Sequence, residues 1–275
     1  MKLLINEMDA NTLDTNRLTI GTNNSIDSNK QKKIRVLVSG ASGFIGQRLV
    51  RRLLISPSTT NWSIRCMTRK PHSFSRYFHG RDNLELVQAD AQNYSELVKA
   101  LTGVDVAFYL IHSMEGSSKE WKKFAERDRV AAKNFAKAVN EAGVLRVIYL
   151  GGLTNAPQQE LSKHMRSRME VGEILKKSNA AVTIFRAAVI LGQGGGSFQM
   201  LQYLVERLPL MVCPKWVLTK CQPIAVDDVV EYLVRSIETN ETISKTFDIG
   251  GAEILTYLDM MRRYGNNLKK SIKII

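Results

Sequence analysis

Three glycines spaced three apart, Gly40, Gly43 and Gly46, carry the clearest chemical implication in this chain. They close the run Ile34-Arg35-Val36-Leu37-Val38-Ser39-Gly40-Ala41-Ser42-Gly43-Phe44-Ile45-Gly46. An apolar strand enters the turn and a helix leaves it. Gly40 lets the chain turn tightly, Gly43 lets backbone approach a pyrophosphate, and Gly46 lets the helix pack closely on the strand. The first turn of a helix has N–H groups with no partner inside the helix, so it attracts an anion. Gly40, Ser42, Gly43, Phe44, Ile45 and Gly46 are therefore the expected phosphate contacts of a dinucleotide. A glycine triplet gains this meaning from its place at a strand-to-helix junction.

A second chemical signal is an absence of acid. No Asp or Glu occurs between Asp27 and Asp82, while twelve of the 39 basic residues fall in that interval. The remaining basic residues nearly balance the 26 acidic ones. An NAD-selecting site places a carboxylate about 20 residues after the glycine turn, on the ribose 2′-hydroxyl. Here that region reads Arg65-Cys66-Met67-Thr68-Arg69-Lys70. A carboxylate repels a 2′-phosphate, whereas a guanidinium binds one through two parallel bonds. The expectation is NADP(H) preferred over NAD(H), with Arg69 as the main contact and Thr68 and Lys70 assisting. The basic excess is expected to surround this phosphate site, with Arg51 and Arg52 on the outer face of the first helix.

Elements must position these residues. Expected strands run over 34–39, 62–67, 84–88, 104–111, 145–150 and 182–187. Helices are expected over 44–55, 94–101, from about 119 to 142, and over 161–177. Apolar strands alternating with helices imply a parallel sheet covered on both faces, with ligands beyond the carboxyl ends of the strands. Beyond residue 191 the pattern predicts helices over 198–207, 226–238 and 256–264 and a short strand over 245–249. The expected fold is an α/β, Rossmann-type doubly wound parallel sheet with a small C-terminal substrate lobe. Domain limits follow: a loosely attached extension over 1–33, a dinucleotide-binding domain over 34–191 and the lobe over 192–275.

Composition excludes several classes. No run approaches the roughly 18 apolar residues of a membrane span. Residues 1–33 have neither the apolar core of a signal peptide nor the acid-poor character of a transit peptide. Three scattered cysteines, Cys66, Cys213 and Cys221, form no disulfide framework and lack metal-site spacing, so a reducing, cytoplasmic setting is expected. The basic balance raises nucleic acid as a partner, but no nucleic-acid module or interleaved aromatic pattern accompanies it.

Further segments carry a family resemblance. The turn GASGFIG, Ala89-Asp90-Ala91, Tyr109-Leu110-Ile111-His112-Ser113-Met114, Tyr149-Leu150-Gly151-Gly152-Leu153 and Arg186–Gly192 resemble those of atypical short-chain dehydrogenases/reductases. Cys221–Asp228 and Phe247–Gly251 fit the substrate-side portion of extended members. The YLIHSM and SKHMRSR segments are similar to an NAD(P)H-binding subgroup close to the NmrA-like proteins. The resemblance spans residues 34–264. It implies that Asp90 and Ala91 sit at the adenine end and that Leu110 and His112 pass the phosphates and ribose. It also implies that Ala187 and Ala188 lie near the nicotinamide.

Active members of that family use Tyr-x-x-x-Lys on the helix after strand five, preceded by a Ser. The positions matching the pair here are His164 and Arg168, and the Ser position falls near Gly151 or Gly152. Four-residue spacing puts His164 and Arg168 on one helix face. Either His164 moves a proton near neutral pH, with Arg168 as a fixed charge, or the two line the pocket. Two functions follow from the resemblance. One is an NADP-dependent oxidoreductase, or an epimerase- or dehydratase-like enzyme, acting on a small carbonyl or alcohol. The other is a non-catalytic NADPH-binding sensor or accessory subunit, with an oligomer or partner protein. Leu201, Tyr203, Leu204, Leu208, Met211 and Val212 are candidates for an apolar substrate wall. The stop at Ile275 suggests an incomplete lobe.

Overall fold

The computed structural model describes residues 33–56, 62–71, 81–112, 121–154, 160–207, 210–211, 215–269 and 273–274. The extension expected over 1–33 lies, apart from Lys33, outside the described residues, as do Cys213, Leu208 and Val212.

Strands and helices alternate as β1 (Ile34–Ser39), α1 (Phe44–Ile55), β2 (Trp62–Thr68), β3 (Leu84–Gln88), α2 (Tyr94–Leu101), β4 (Val106–Tyr109), α3 (Trp121–Ala142), β5 (Arg146–Gly152), α4 (Lys163–Leu175) and β6 (Ala181–Ala187). The chain continues through β7 (Ile190–Leu191), α5 (Gly196–Arg207), β8 (Leu210–Met211), β9 (Lys220–Cys221), β10 (Ile224–Ala225) and α6 (Val226–Arg235). It ends in β11 (Thr246–Ile249), β12 (Leu255–Thr256), α7 (Tyr257–Asn267) and β13 (Lys273–Ile274). Seven strands form one sheet in the order β3-β2-β1-β4-β5-β6-β11. All its pairs are parallel. Strand order reverses between β1 and β4, the place where such sheets open a ligand crevice at their carboxyl edge.

Alternation along β1 divides the interior. Val36 and Val38 join the core beneath α1 and α6, with Ile64, Cys66, Phe108 and Phe185. Leu37 turns to the other face and joins Ala107, Tyr109, Phe135, Val147 and Tyr149 beneath α2, α3 and α4. Both faces are apolar because a parallel sheet is covered twice. A third, smaller cluster of Leu201, Val205, Val217, Met260 and Met261 lies in the C-terminal part.

Several details differ from the sequence expectation. The fourth strand was expected over 104–111, yet β4 pairs over Val106–Tyr109. Val104 is buried, but its N–H turns back to the Leu101 carbonyl. The Leu110 N–H goes to the Ser39 hydroxyl at 3.3 Å. Beyond the ladder Val104 is thus buried and Leu110 half-buried. The C-terminal helices also shift, with α5 starting at Gly196 and α6 ending at Arg235.

The basic residues do not all surround the phosphate turn. Arg65 is buried in β2, donating to Glu85 at 2.7 Å and to the carbonyls of Ala100 and Thr102. Arg52 is not on an outer face: it pairs with Glu231 of α6 at 3.1 Å. Arg35 lies toward the amino edge, where its N–H donates to Asp105 at 2.9 Å. Arg48 on the first turns of α1 and the exposed Arg69 and Lys70 after β2 remain beside the turn.

Among the described residues, no helix is long and apolar enough to cross a membrane.

Candidate functional site

The glycine turn has the geometry its sequence requires. Gly40 has φ +69°, and a Cβ there would lie 2.7 Å from the Leu110 carbonyl oxygen. A Cβ on Gly46 would come within 2.2 Å of the Gly40 carbonyl oxygen, so α1 sits as close to β1 as backbone permits. At Gly43 a Cβ would meet one backbone atom, the Gly40 carbonyl oxygen, at 3.2 Å, so this is the least crowded of the three glycines. No side chain caps α1 and no acid stands in its first turn. Its N–H groups and dipole therefore face the crevice without a competing carboxylate.

Ser39 fixes the crevice's width. Its buried hydroxyl donates to the Phe108 carbonyl at 2.8 Å and accepts from Leu110 N–H, joining the ends of β1 and β4. Beside the turn, Ser42 is exposed and lies 3.5 Å from the Thr68 hydroxyl. That hydroxyl accepts from Lys70 N–H at 3.3 Å. Arg69 and Lys70 are both exposed. Ser42, Thr68, Arg69 and Lys70 thus form one polar corner.

At the end of β3, the Asp90 carboxylate accepts from Gln92 N–H at 2.9 Å, and Asp90 N–H donates to Glu96 at 2.8 Å. Ala89 and Ala91 are buried on either side. At the end of β6, Ala187 is buried and Ala188 half-buried, and the Ala187 carbonyl accepts from Leu153 N–H at 2.8 Å. The cofactor candidates therefore occupy the carboxyl ends of five strands, β1, β2, β3, β4 and β6.

His164 and Arg168 lie one turn apart on α4. Both act electrostatically on His112 at the end of β4, so these sequence-distant groups share one corner. His112 keeps an exposed edge, yet desolvation by surrounding protein, then Arg168 and His164, hold its imidazole far below the ordinary histidine range. Desolvation and Arg168 lower His164 as well, and Asp128 opposes them. At neutral pH both imidazoles are neutral beside a fixed guanidinium.

Asp128 escaped the sequence reading. It is buried on α3 and accepts from the Ser167 hydroxyl at 3.4 Å. Its charge also acts on Tyr109 and Tyr149. A signal existed: residue 128 falls on the stripe of Phe124, Ala131, Ala132 and Phe135, where a carboxylate is out of pattern. Tyr109 and Tyr149 are themselves core residues, and the Tyr149 hydroxyl donates to the Arg168 carbonyl at 3.0 Å. Near the position matching the family serine, a Cβ on Gly151 would meet the Tyr149 ring at 3.1 Å and one on Gly152 the Met165 terminal methyl at 2.6 Å.

The loop after β7 packs against α1. Arg48 donates to the Gln193 carbonyl at 2.7 Å, and a Cβ on Gly195 would meet the Phe44 ring at 2.7 Å. Gly196 and Ser197, just before the helix expected over 198–207, begin α5.

Comparisons with known proteins agree with a dinucleotide-binding α/β fold. A family described as NAD(P)H-binding matches residues 40–203. The chain is 28% identical over 191 residues to an Arabidopsis thaliana protein named "Epimerase family protein SDR39U1 homolog, chloroplastic", covering 63% of this chain and 54% of that protein. It is 22% identical over 257 residues to the A. thaliana divinyl chlorophyllide a 8-vinyl-reductase, covering 87% of this chain and 58% of the reductase. This chain thus spans little more than half the length of these relatives. UDP-glucuronic acid 4-epimerase from Bacillus cereus, solved with NAD, superposes with a TM-score of 0.71 at 17% identity, over 88% of this chain and 87% of that one. At that identity the likeness concerns the fold.

Proposed function

We infer function from one premise: the chain belongs to the NAD(P)H-binding family, among the atypical short-chain dehydrogenases/reductases and epimerases. We propose that it holds NADP(H) across the carboxyl edge and works as an oxidoreductase on a small carbonyl or alcohol. The pyrophosphate lies against Gly40, Ser42, Gly43 and the first turn of α1 at Phe44, Ile45 and Gly46. The 2′-phosphate meets Arg69, with Lys70 and Thr68 beside it. Asp90 and Ala91 bound the adenine, Leu110 and His112 follow the ribose and phosphates, and Ala187 and Ala188 bound the nicotinamide. The carrying observation is the corner of Ser42, Thr68, Arg69 and Lys70, which presents cations where an NAD-selecting site presents a carboxylate.

When bound, the nicotinamide supplies or accepts the hydride. The chain's own residues handle charge and proton. The Arg168 guanidinium stabilises negative charge growing on a substrate oxygen. His164 is neutral at pH 7 and takes a proton from a substrate hydroxyl in the oxidative direction. Asp128 favours the protonated state that results.

Affinity for NADPH and NADH, measured by fluorescence titration, tests the cofactor assignment; tighter NADH binding overturns it. Cofactor oxidation across a panel of carbonyl compounds tests catalysis. A second reading, an NADPH-binding sensor or accessory subunit, is favoured by His164 and Arg168 standing where active members have Tyr and Lys. Stoichiometric NADPH binding without turnover across the panel selects it.

A further inference from the structure

The C-terminal part holds a second cleft, separate from the polar corner of the cofactor crevice. Leu201 and Leu204 from α5, Met260 and Met261 from α7, and Val189 and Leu191 beyond β6 wall it. Trp216 and Tyr257 meet edge to face across it, with ring centroids 5.4 Å apart and planes at 86°. Ser197 adds a hydroxyl, and among the described residues no charged side chain lines the cleft. Its volume is about 10 Å³, room for about one water. Met200 and Trp216 remain 45% and 48% exposed, so one side faces solvent. The methionines at 200, 260 and 261 are unbranched and repack at low cost.

Chemistry and position together select an occupant. A nucleotide diphosphate would lose its hydration here without a cation in the lining to replace it. Val189 and Leu191 directly follow Ala187 and Ala188, the residues assigned to the reacting end of the cofactor.

We propose that this cleft receives the apolar, uncharged body of the substrate, an aromatic or long aliphatic carbonyl compound or its alcohol, and opens by repacking of its methionines. Its placement beside the reacting end rests on the cofactor assignment; its chemistry rests on the lining.

The test uses the full chain with 2-naphthaldehyde and decanal as apolar probes and UDP-glucose as a charged one. Binding is read by equilibrium dialysis, with NADPH affinity measured on the same samples. The apolar probes are expected to bind at least tenfold tighter than UDP-glucose. Leu204→Trp fills the cleft, and Met200→Asp puts a carboxylate at its exposed side without touching the core. Each is expected to weaken the apolar probes roughly tenfold or more, about 1.4 kcal/mol, and to leave NADPH affinity within about twofold. Tighter UDP-glucose binding, or apolar binding unaffected by Met200→Asp, overturns the proposal. Retained NADPH binding without apolar binding removes the cleft assignment alone. Apolar binding that responds to both substitutions, in a chain that binds no NADPH, supports the cleft and removes the cofactor assignment.

Discussion

Ser167 on α4 donates to the buried carboxylate of Asp128 on α3 at 3.4 Å, one position before Arg168. A negative charge is thereby held inside the helix pair that carries His164. Replacing Asp128 by Asn removes the charge that favours the His164 imidazolium. The His164 pKa is expected to fall further, whereas Arg168→Gln is expected to raise both His164 and His112. An NMR titration of the histidine ring protons reads both shifts. No movement of His164 in Asp128→Asn would separate the carboxylate from the site.

Acid should destabilise the fold through His112. Its value in the folded chain is about 3, below the ordinary 6.5. Between those limits the unfolded chain binds a proton that the folded chain refuses, so stability falls as pH drops from 6.5 toward 3. Urea denaturation at pH 7.5 and 5 should show that loss, and His112→Gln should reduce it. An unchanged pH slope in the variant would contradict this assignment.

Arg69→Ala should weaken NADPH by roughly ten- to a hundredfold, the range expected for a charge-assisted hydrogen bond of about 1.5–3 kcal/mol. NADH affinity should stay nearly constant, since the missing contact is to the 2′-phosphate. Parallel titrations with the two cofactors give the comparison, and equal losses for both would move the 2′-phosphate away from Arg69.

Gly46→Ala tests the close approach at the turn. The added Cβ would meet backbone, the Gly40 carbonyl oxygen at 2.2 Å, so α1 must shift away from β1. A loss of about 1–3 kcal/mol in stability is expected, as for overpacking elsewhere. NADPH affinity should fall with it, because the same shift moves the N–H groups of the first turn. A denaturation midpoint and a cofactor titration report the two effects separately.

The glycine turn was legible because its meaning is local: strand, turn and helix occupy adjacent residues and need no other part of the chain. Strand alternation likewise gave the sheet, since the two covered faces leave apolar residues at nearly every strand position. Strand ends were less legible. Val104 and Leu110 extend an apolar run, but ladder pairing is confined to Val106–Tyr109, and composition does not record where a ladder ends. Charge was read least well. Arg65 and Arg52 counted toward a basic patch by sequence distance, although Glu85 and Glu231 neutralise them elsewhere in the fold. Asp128 was missed for a related reason: its significance depends on α4 packing over it, a contact between helices distant in sequence.

The division of the interior bears on how this fold tolerates change. Val36 and Val38 belong to one core and Leu37 to the other, so consecutive residues of β1 answer to different sets of neighbours. Substitutions remote from each other on opposite faces should then combine additively. One side of the sheet can be rebuilt while the other is kept, and the Ser39 bridge preserves the gap at the sheet's edge throughout. Divergence of sequence and constancy of the crevice are compatible in such a molecule because they draw on different atoms.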